Sequence, residues 1–405
     1  MARTAKARSA AQPEDRVAPD RSATPPHAAN TAAVAAARPG PHLAFVLQGL
    51  GAGGSEHVVS QLCNHFASLG WTITVLAFEH PAARPYYAHD PAVRIIPLGM
   101  KAQRRGPLGA VMAVRTRLRL LRNALEILRP DIVVSFLTRT NVLAIVAARA
   151  LHIPIIVSER NNPELQTVGP VWNLLRRWTY PRAAGLVTMT HGAMRFLTEK
   201  APLRGWVIPN PATIPSTAGA VVRQSDGRTI GAVGRLVPQK GFDLLVDAFA
   251  RVAPAIPDWH LVIWGEGLER EALVAQIARL EMGERVSLPG VTAHPGEWIG
   301  RSDIFVLSSR FEGWGLVVGE AMAAGLPVIA FDCPWGPGEM IEDGRTGVLV
   351  PNGDVDALGE TIVALCRDAP LRDALGARAI DSMRSFAPET VLAQWQKVVT
   401  DVLES

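Results

Sequence analysis

Cysteine is scarce in this chain of 405 residues: Cys63, Cys333 and Cys366 lie far apart and form no C-x-x-C pair. That spacing implies neither a disulfide framework nor a thiolate metal cage, and it suits a reducing cytoplasm. Unbroken apolar runs are missing as well. The stretch 143–157 is apolar but carries Arg149, His152 and Pro154, so it is expected to form a buried helix and strand rather than a membrane span. Residues 1–40 hold no Phe, Trp or Tyr, and proline or charge interrupts their apolar runs. A segment with so little to bury is expected to be a disordered tail, and it does not read as a secretory leader.

Acids are lacking from one further place. Between Lys101 and Arg122 the chain carries Lys101, Arg104, Arg105, Arg115, Arg117, Arg119 and Arg122 and no Asp or Glu. This local +7 exceeds the net +4 of the whole chain and leaves −3 for the remainder. The basic character thus comes from one segment, and a surface that coats nucleic acid is not indicated.

What the chain does have is 48% apolar residues and length enough for two cores. Strand-like and helix-like stretches alternate from residue 43: strand 43–48, glycine loop 49–54, helix 55–69, strand 71–78, then 132–136, 142–150, 154–158 and 186–189. A second series opens at 229–234 and runs through helix 242–252, strand 260–264, helix 268–281, strands 286–288 and 304–307, a helix from Gly319, and strands 327–331 and 348–350. Such alternation predicts an α/β protein with parallel sheets covered on both faces, here two doubly wound Rossmann-like domains facing across a cleft. The expected boundaries are a tail at 1–40, a first domain at 41–212, a Pro/Gly-marked linker at 213–228, a second domain at 229–386, and a last helix at 387–405 that crosses back to the first domain.

Four stretches carry chemistry. Glu312 and Glu320 stand eight positions apart around Gly313 and Gly315, before a slim apolar helix; on a helix rising about 1.5 Å per residue this separates them by roughly 12 Å, the reach from a hexose across a diphosphate to a ribose. Arg235 and Lys240 follow the first strand of the second domain, a planar fork and a point charge at the carboxyl end of a strand, where open α/β sheets bind ligands. The loop Gly49-Leu50-Gly51-Ala52-Gly53-Gly54 matches G-x-G-x-x-G, with Glu79 after the next strand. Alone it would favour a dinucleotide; beside the second domain's cations it reads as a source of backbone N–H groups, from Gly53 and Gly54, for a diphosphate. The stretch Cys333-Pro334-Trp335-Gly336-Pro337-Gly338-Glu339 reads as a loop that hugs a ligand, with Gly338 allowing close approach.

These elements, in this order over residues 43–352, resemble the retaining glycosyltransferases of the two-Rossmann-domain GT-B group, family 4 type, which build lipopolysaccharide, capsule and other surface glycans. The resemblance implies that Arg235 and Lys240 hold the donor diphosphate, that Glu320 binds the nucleotide ribose, and that Glu312 lies near the transferred sugar. It implies a metal-independent reaction with no cofactor, in keeping with the absence of a His/Cys ligand cluster. Residues 157–163 (Val-Ser-Glu-Arg-Asn-Asn-Pro), Ser135-Phe136-Leu137 with Thr140-Asn141, and Arg176-Arg177-Trp178-Thr179-Tyr180-Pro181 resemble the subgroup that extends polyprenyl-diphosphate-linked glycans, such as N-acetylgalactosaminyltransferases. Some members carry His where this chain has Arg160, so Glu159 and Arg160 are the acceptor-side candidates, with His191 as the neighbouring alternative.

The implied partners are a nucleotide-sugar donor, a lipid-linked glycan acceptor and the inner leaflet of the cytoplasmic membrane. Leu108, Val111, Met112, Leu118, Leu121, Leu125 and Leu128 recur at helical spacing among Arg104, Arg105, Arg115, Arg117, Arg119 and Arg122. That pattern predicts an interfacial amphipathic helix or, alternatively, a solvated outer helix. The expected activity is hexosyl or N-acetylhexosaminyl transfer from a nucleoside diphosphate sugar. The rival readings are a sugar-nucleotide epimerase or hydrolase, a non-catalytic sugar-nucleotide scaffold, and a dinucleotide oxidoreductase.

Overall fold

The computed structural model describes residues 40–51, 53–99, 106–166, 168–199, 203–212, 225–294 and 296–405. The expected tail up to residue 39, most of the expected linker, and Lys101, Arg104 and Arg105 lie outside the described residues.

The first sheet is fed by strands β1 (His42–Leu47), β2 (Thr72–Ala77) and β3 (Arg94–Pro97), with helix α1 (Gly54–Ser68) after β1. Helix α2 (Pro107–Leu128) leads to β4 (Ile132–Phe136), α3 (Thr138–Arg149), β5 (Ile155–Glu159) and α4 (Pro170–Thr179). Then come β6 (Gly185–Thr188), α5 (His191–Thr198) and β7 (Gly205–Val207). The second sheet follows with β8 (Thr229–Val233), α6 (Phe242–Val252), β9 (His260–Trp264), α7 (Arg270–Arg279), β10 (Val286–Gly290) and α8 (Glu297–Gly300). It continues with β11 (Ile304–Leu307), α9 (Leu316–Ala323), β12 (Val328–Asp332), α10 (Pro337–Met340) and β13 (Val348–Pro351). Helices α11 (Val355–Arg367), α12 (Ala369–Ser382) and α13 (Pro388–Leu403) close the chain.

The order is β3-β2-β1-β4-β5-β6-β7 in the first sheet and β10-β9-β8-β11-β12-β13 in the second, with every pair parallel. Central strands such as Ile132-Val133-Val134-Ser135-Phe136 are buried along their whole length, as parallel strands roofed by helices on both faces must be. In each sheet the order reverses once, between β1 and β4 and between β8 and β11. The loops leaving β1 and β8 therefore sit at the two topological switch points.

The last helix packs on the first lobe. Val391, Trp395, Val398, Val399 and Val402 of α13 join the core built on β1, β2, β4 and α1 of the first lobe. Trp395 is fully buried there, with its ring 6.0 Å from that of Phe136.

The basic helix is tied into the first lobe by part of its apolar face. Leu121 and Leu125 of α2 are fully buried, and Leu118 and Leu128 pack against the same first-lobe core. Most of the apolar face is thus spent on the fold, leaving Val111 and Met112 exposed beside the exposed Arg115, Arg119 and Arg122. Arg117 is half-buried and is pushed down by burial and by the nearby Arg139. Among the described residues no helix is long and apolar enough to cross a membrane.

Replacing Trp395 by Ala is expected to cost about 3–5 kcal/mol, as large truncations in a packed core do. Chemical denaturation read by circular dichroism checks it; a loss below about 1 kcal/mol would mean that α13 is not integral to the first lobe.

Candidate active site

Lys240 ends a short turn after β8, and Glu312 lies in the loop between β11 and α9, so neighbouring strands present them side by side. Lys240 Nζ is 2.5 Å from Glu312 Oε1, and Ser309 Oγ donates to the same oxygen at 2.7 Å. Both charged side chains are largely buried, which makes the loss of either partner costly, about 3–5 kcal/mol. Arg235, on the same loop as Lys240, is exposed and forms no ion pair among the described residues.

Helix α9 starts at Leu316 behind Gly315, whose φ of +85° suits glycine and turns the loop into the helix. Glu312 therefore precedes the helix, and the separation of roughly 12 Å expected from helical rise does not apply. Glu320 does lie on α9, buried, with no hydrogen-bond partner among the described residues. Burial pushes its carboxyl up to about 8. Gly313 lets the lobes approach closely: a Cβ there would fall 2.7 Å from the carbonyl oxygen of Arg160.

From the first lobe the loop after β1 brings Gly53 and Gly54 to the amino end of α1. The Glu56 side chain folds back so closely over Gly53 that a Cβ there would collide with it. His57 of α1 stacks on Tyr87, with ring centroids 4.7 Å apart and 15° between planes. Burial raises the Tyr87 phenol, and the neighbouring Glu320 carboxylate raises it further.

Glu159 and Arg160 part company. Successive residues at a strand end point to opposite sides, and Glu159, the last residue of β5, turns inward. Its carboxylate accepts from Tyr180 Oη at 2.6 Å and from Thr138 Oγ1 at 2.9 Å, and burial raises its pKa. It does not line the cleft, which corrects the expectation that it acts there with Arg160. Arg160 does line it, packed 5.6 Å over the Phe136 ring and donating to Asn210 Oδ1. Burial lowers its guanidinium to about 9, still charged at neutral pH, with no carboxylate at ion-pair distance among the described residues.

One cavity of about 420 Å³ gathers these groups. Of the expected site residues it is lined by Gly53, Gly54, Arg160, Arg235, Lys240, Glu312, Gly313, Gly315 and Glu320. Gly338 stays out of it, because α10 holds it against Asp332. His191 also stays out, its backbone N–H donating to Glu339 Oε2 at 3.3 Å. The cavity also takes in His57, Tyr86, Tyr87, Gln166, Asn210 and Trp298, none of them singled out in the sequence. A signal for two of them existed: the chain has only three tyrosines.

Among the described residues no three His, Cys, Asp or Glu side chains gather to hold a metal. The sequence does contain one D-x-D, Asp354-Val355-Asp356. Its acids are otherwise engaged, Asp354 capping α11 through the Ala357 N–H and Asp356 pairing with Arg251.

Comparison with known families bears directly on this two-lobed cleft. The family described as "Glycosyl transferase 4-like domain" matches residues 53–211, and "Glycosyl transferases group 1" matches residues 227–368. The chain belongs to the glycosyltransferases. This glycosyltransferase is 24% identical to the amylovoran biosynthesis glycosyltransferase AmsD of Erwinia amylovora, over 86% of this chain and 96% of that one. It is 31% identical over 287 residues to an exopolysaccharide phosphotransferase of Streptomyces coelicolor, a match covering 70% of this chain but spanning only 30% of that protein's length. Among solved structures, Anabaena HepE in complex with UDP and glucose aligns with a TM-score of 0.70 at 20% identity, over 89% of this chain and all of that one. The fold of this glycosyltransferase is therefore GT-B.

The buried Glu320 yields a pH prediction. Its folded pKa of about 8 exceeds the ordinary value of 4.5, so the folded state holds a proton that the unfolded state releases between those limits. Its contribution is complete below about 4.5 and declines as pH rises towards about 8. Glu320→Gln, which cannot ionise, is expected to melt progressively higher than the wild type across that window. Melting curves at a series of pH values check this; an unchanged gap would remove Glu320 as the cause.

Proposed function

We propose that this glycosyltransferase moves a hexose or N-acetylhexosamine from a nucleoside diphosphate sugar, UDP-linked, to a hydroxyl of a lipid-linked glycan, with retention at the anomeric carbon. The observation that carries the reading is the convergence of Arg235, Lys240, Glu312 and Glu320 on one cavity, opposite the amino end of α1. Arg235 and Lys240 supply positive charge for a diphosphate, and a helix amino end adds N–H donors and a favourable dipole. In this reading Glu320, on the cavity wall, binds the ribose, and Glu312, beside Lys240, accepts hydrogen bonds from the sugar. The UDP and glucose named for HepE, and the polysaccharide named for AmsD, support the donor and the pathway type.

In this scheme the bond from C1 to the diphosphate breaks as the acceptor oxygen bonds to C1 from the same face. The acceptor proton passes to the departing diphosphate, so no strong side-chain base is called for. Charge developing on the leaving group is met by Arg235 and Lys240, the part that a divalent ion plays in other transferases. In this reading Arg160, buried at the opposite wall with no carboxylate at ion-pair distance among the described residues, holds an anionic group of donor or acceptor.

Lys240→Ala is expected to lower transfer by about a hundredfold or more, as removal of one stabilising donor does. Turnover of a UDP-sugar with a polyprenyl-diphosphate glycan checks it, and near-normal turnover would refute the assignment. Screening UDP-, GDP- and ADP-sugars by thermal shift is expected to raise the melting temperature most with a UDP-sugar. Transfer is also expected to survive a chelator; loss of transfer, restored by added Mg²⁺ or Mn²⁺, would overturn the metal-free scheme.

A further inference from the structure

Helix α4 carries one broad apolar face, and the first-lobe core covers only part of it. Trp172 and Leu175 pack against the first-lobe core, with Arg176 and Thr179 buried on the same side. Val171, Leu174 and Trp178, spaced i, i+3 and i+7, form the uncovered part and stand 65%, 62% and 68% exposed. Three large apolar side chains aligned along one exposed helix face mark a docking surface rather than scattered exposure.

The surroundings point to the occupant. Residues 165–198 carry Arg176, Arg177, Arg182 and Arg195 and no Asp or Glu. Arg177 and Arg182 are exposed, with Arg182 lying 5.3 Å over the Trp178 ring. At the amino end of the helix, exposed Arg139 lies 5.7 Å over Trp172 and close to Arg117 of α2. Apolar side chains flanked by guanidinium groups complement a bilayer with anionic headgroups, the apolar part entering the acyl boundary and tryptophan sitting at headgroup level. Leu174 and Trp178 also wall a second cavity of about 580 Å³ together with Tyr180, Phe196 and Leu197, with Glu199 also on its lining. This surface lies next to the site: Tyr180 bonds Glu159, whose neighbour Arg160 lines the first cavity, as does Gln166 shortly before α4.

We propose that the outward face of α4, with Val171, Leu174 and Trp178 between Arg139, Arg177 and Arg182, docks the enzyme on an anionic lipid bilayer. The proposal deepens the lipid-linked acceptor reading and rests on it: docking here would bring the acceptor's membrane to the Arg160 side of the cleft.

Flotation of the full chain with vesicles tests it. Vesicles of phosphatidylcholine containing phosphatidylglycerol are expected to carry the protein upward, more weakly as salt rises, and pure phosphatidylcholine much less so. Leu174→Glu combined with Trp178→Glu is expected to cut vesicle binding about tenfold or more. Val274→Glu, at an exposed apolar position of α7 in the other lobe, is expected to leave it unchanged. Should the first pair disturb folding, Arg177→Gln with Arg182→Gln is expected to weaken binding and flatten its salt dependence. A wild type that stays with the buffer, vesicle binding unaffected by either pair, or dimerisation in place of vesicle binding would overturn the proposal. Donor-induced thermal shifts on the same proteins separate the two ideas: vesicle binding that is lost with the α4 variants supports this surface even where no UDP-sugar raises the melting temperature.

Discussion

Two ionisable groups buried without a protein counter-charge among the described residues govern the cleft. Glu320 on one wall and Arg160 on the other are both buried, and neither meets an oppositely charged side chain at ion-pair distance among the described residues. Stripping an ion of water costs several kcal/mol, so such groups persist only where something else compensates. Arg160 finds partial relief in Asn210 and the face of Phe136, whereas Glu320 finds none beyond a shift towards its protonated form. Lys240 and Glu312, by contrast, satisfy each other. A bound anion with hydroxyl groups nearby would supply what these two residues lack, and the proposed nucleotide sugar has both.

The fold prepares this arrangement through its two strand-order reversals, which open a crevice beside the loops that leave β1 and β8. Gly313 then lets the backbones of the two lobes meet at Arg160. Positions far apart in the chain, such as Tyr87 and Glu320, become electrostatic neighbours as a result.

Much of the scaffold was legible in the sequence. Strands at 132–136, 260–264 and 304–307 and the helix at 242–252 fall where the pattern puts them, because fully buried apolar runs leave little freedom. Strand β3 escaped notice because it is a short, partly exposed edge strand. Helix α4 escaped because it is short, ten residues from Pro170 to Thr179, and leaves part of its apolar face exposed. In the site, Arg235, Lys240, Glu312 and Glu320 were legible because their spacing is local. His57, Tyr86 and Asn210 were not, since only tertiary packing gathers those loops. Glu159 was misplaced for a simpler reason: adjacency in sequence at a strand end is opposition in space.

The return of α13 to the first lobe has a consequence for how the protein is made. Trp395 and its neighbouring valines complete a core whose strands were synthesised hundreds of residues earlier. As the chain leaves the ribosome, the first lobe must wait with part of its apolar floor uncovered until the intervening lobe and then residues 388–403 have emerged. Completion of the first lobe's core is thereby tied to the synthesis of the second.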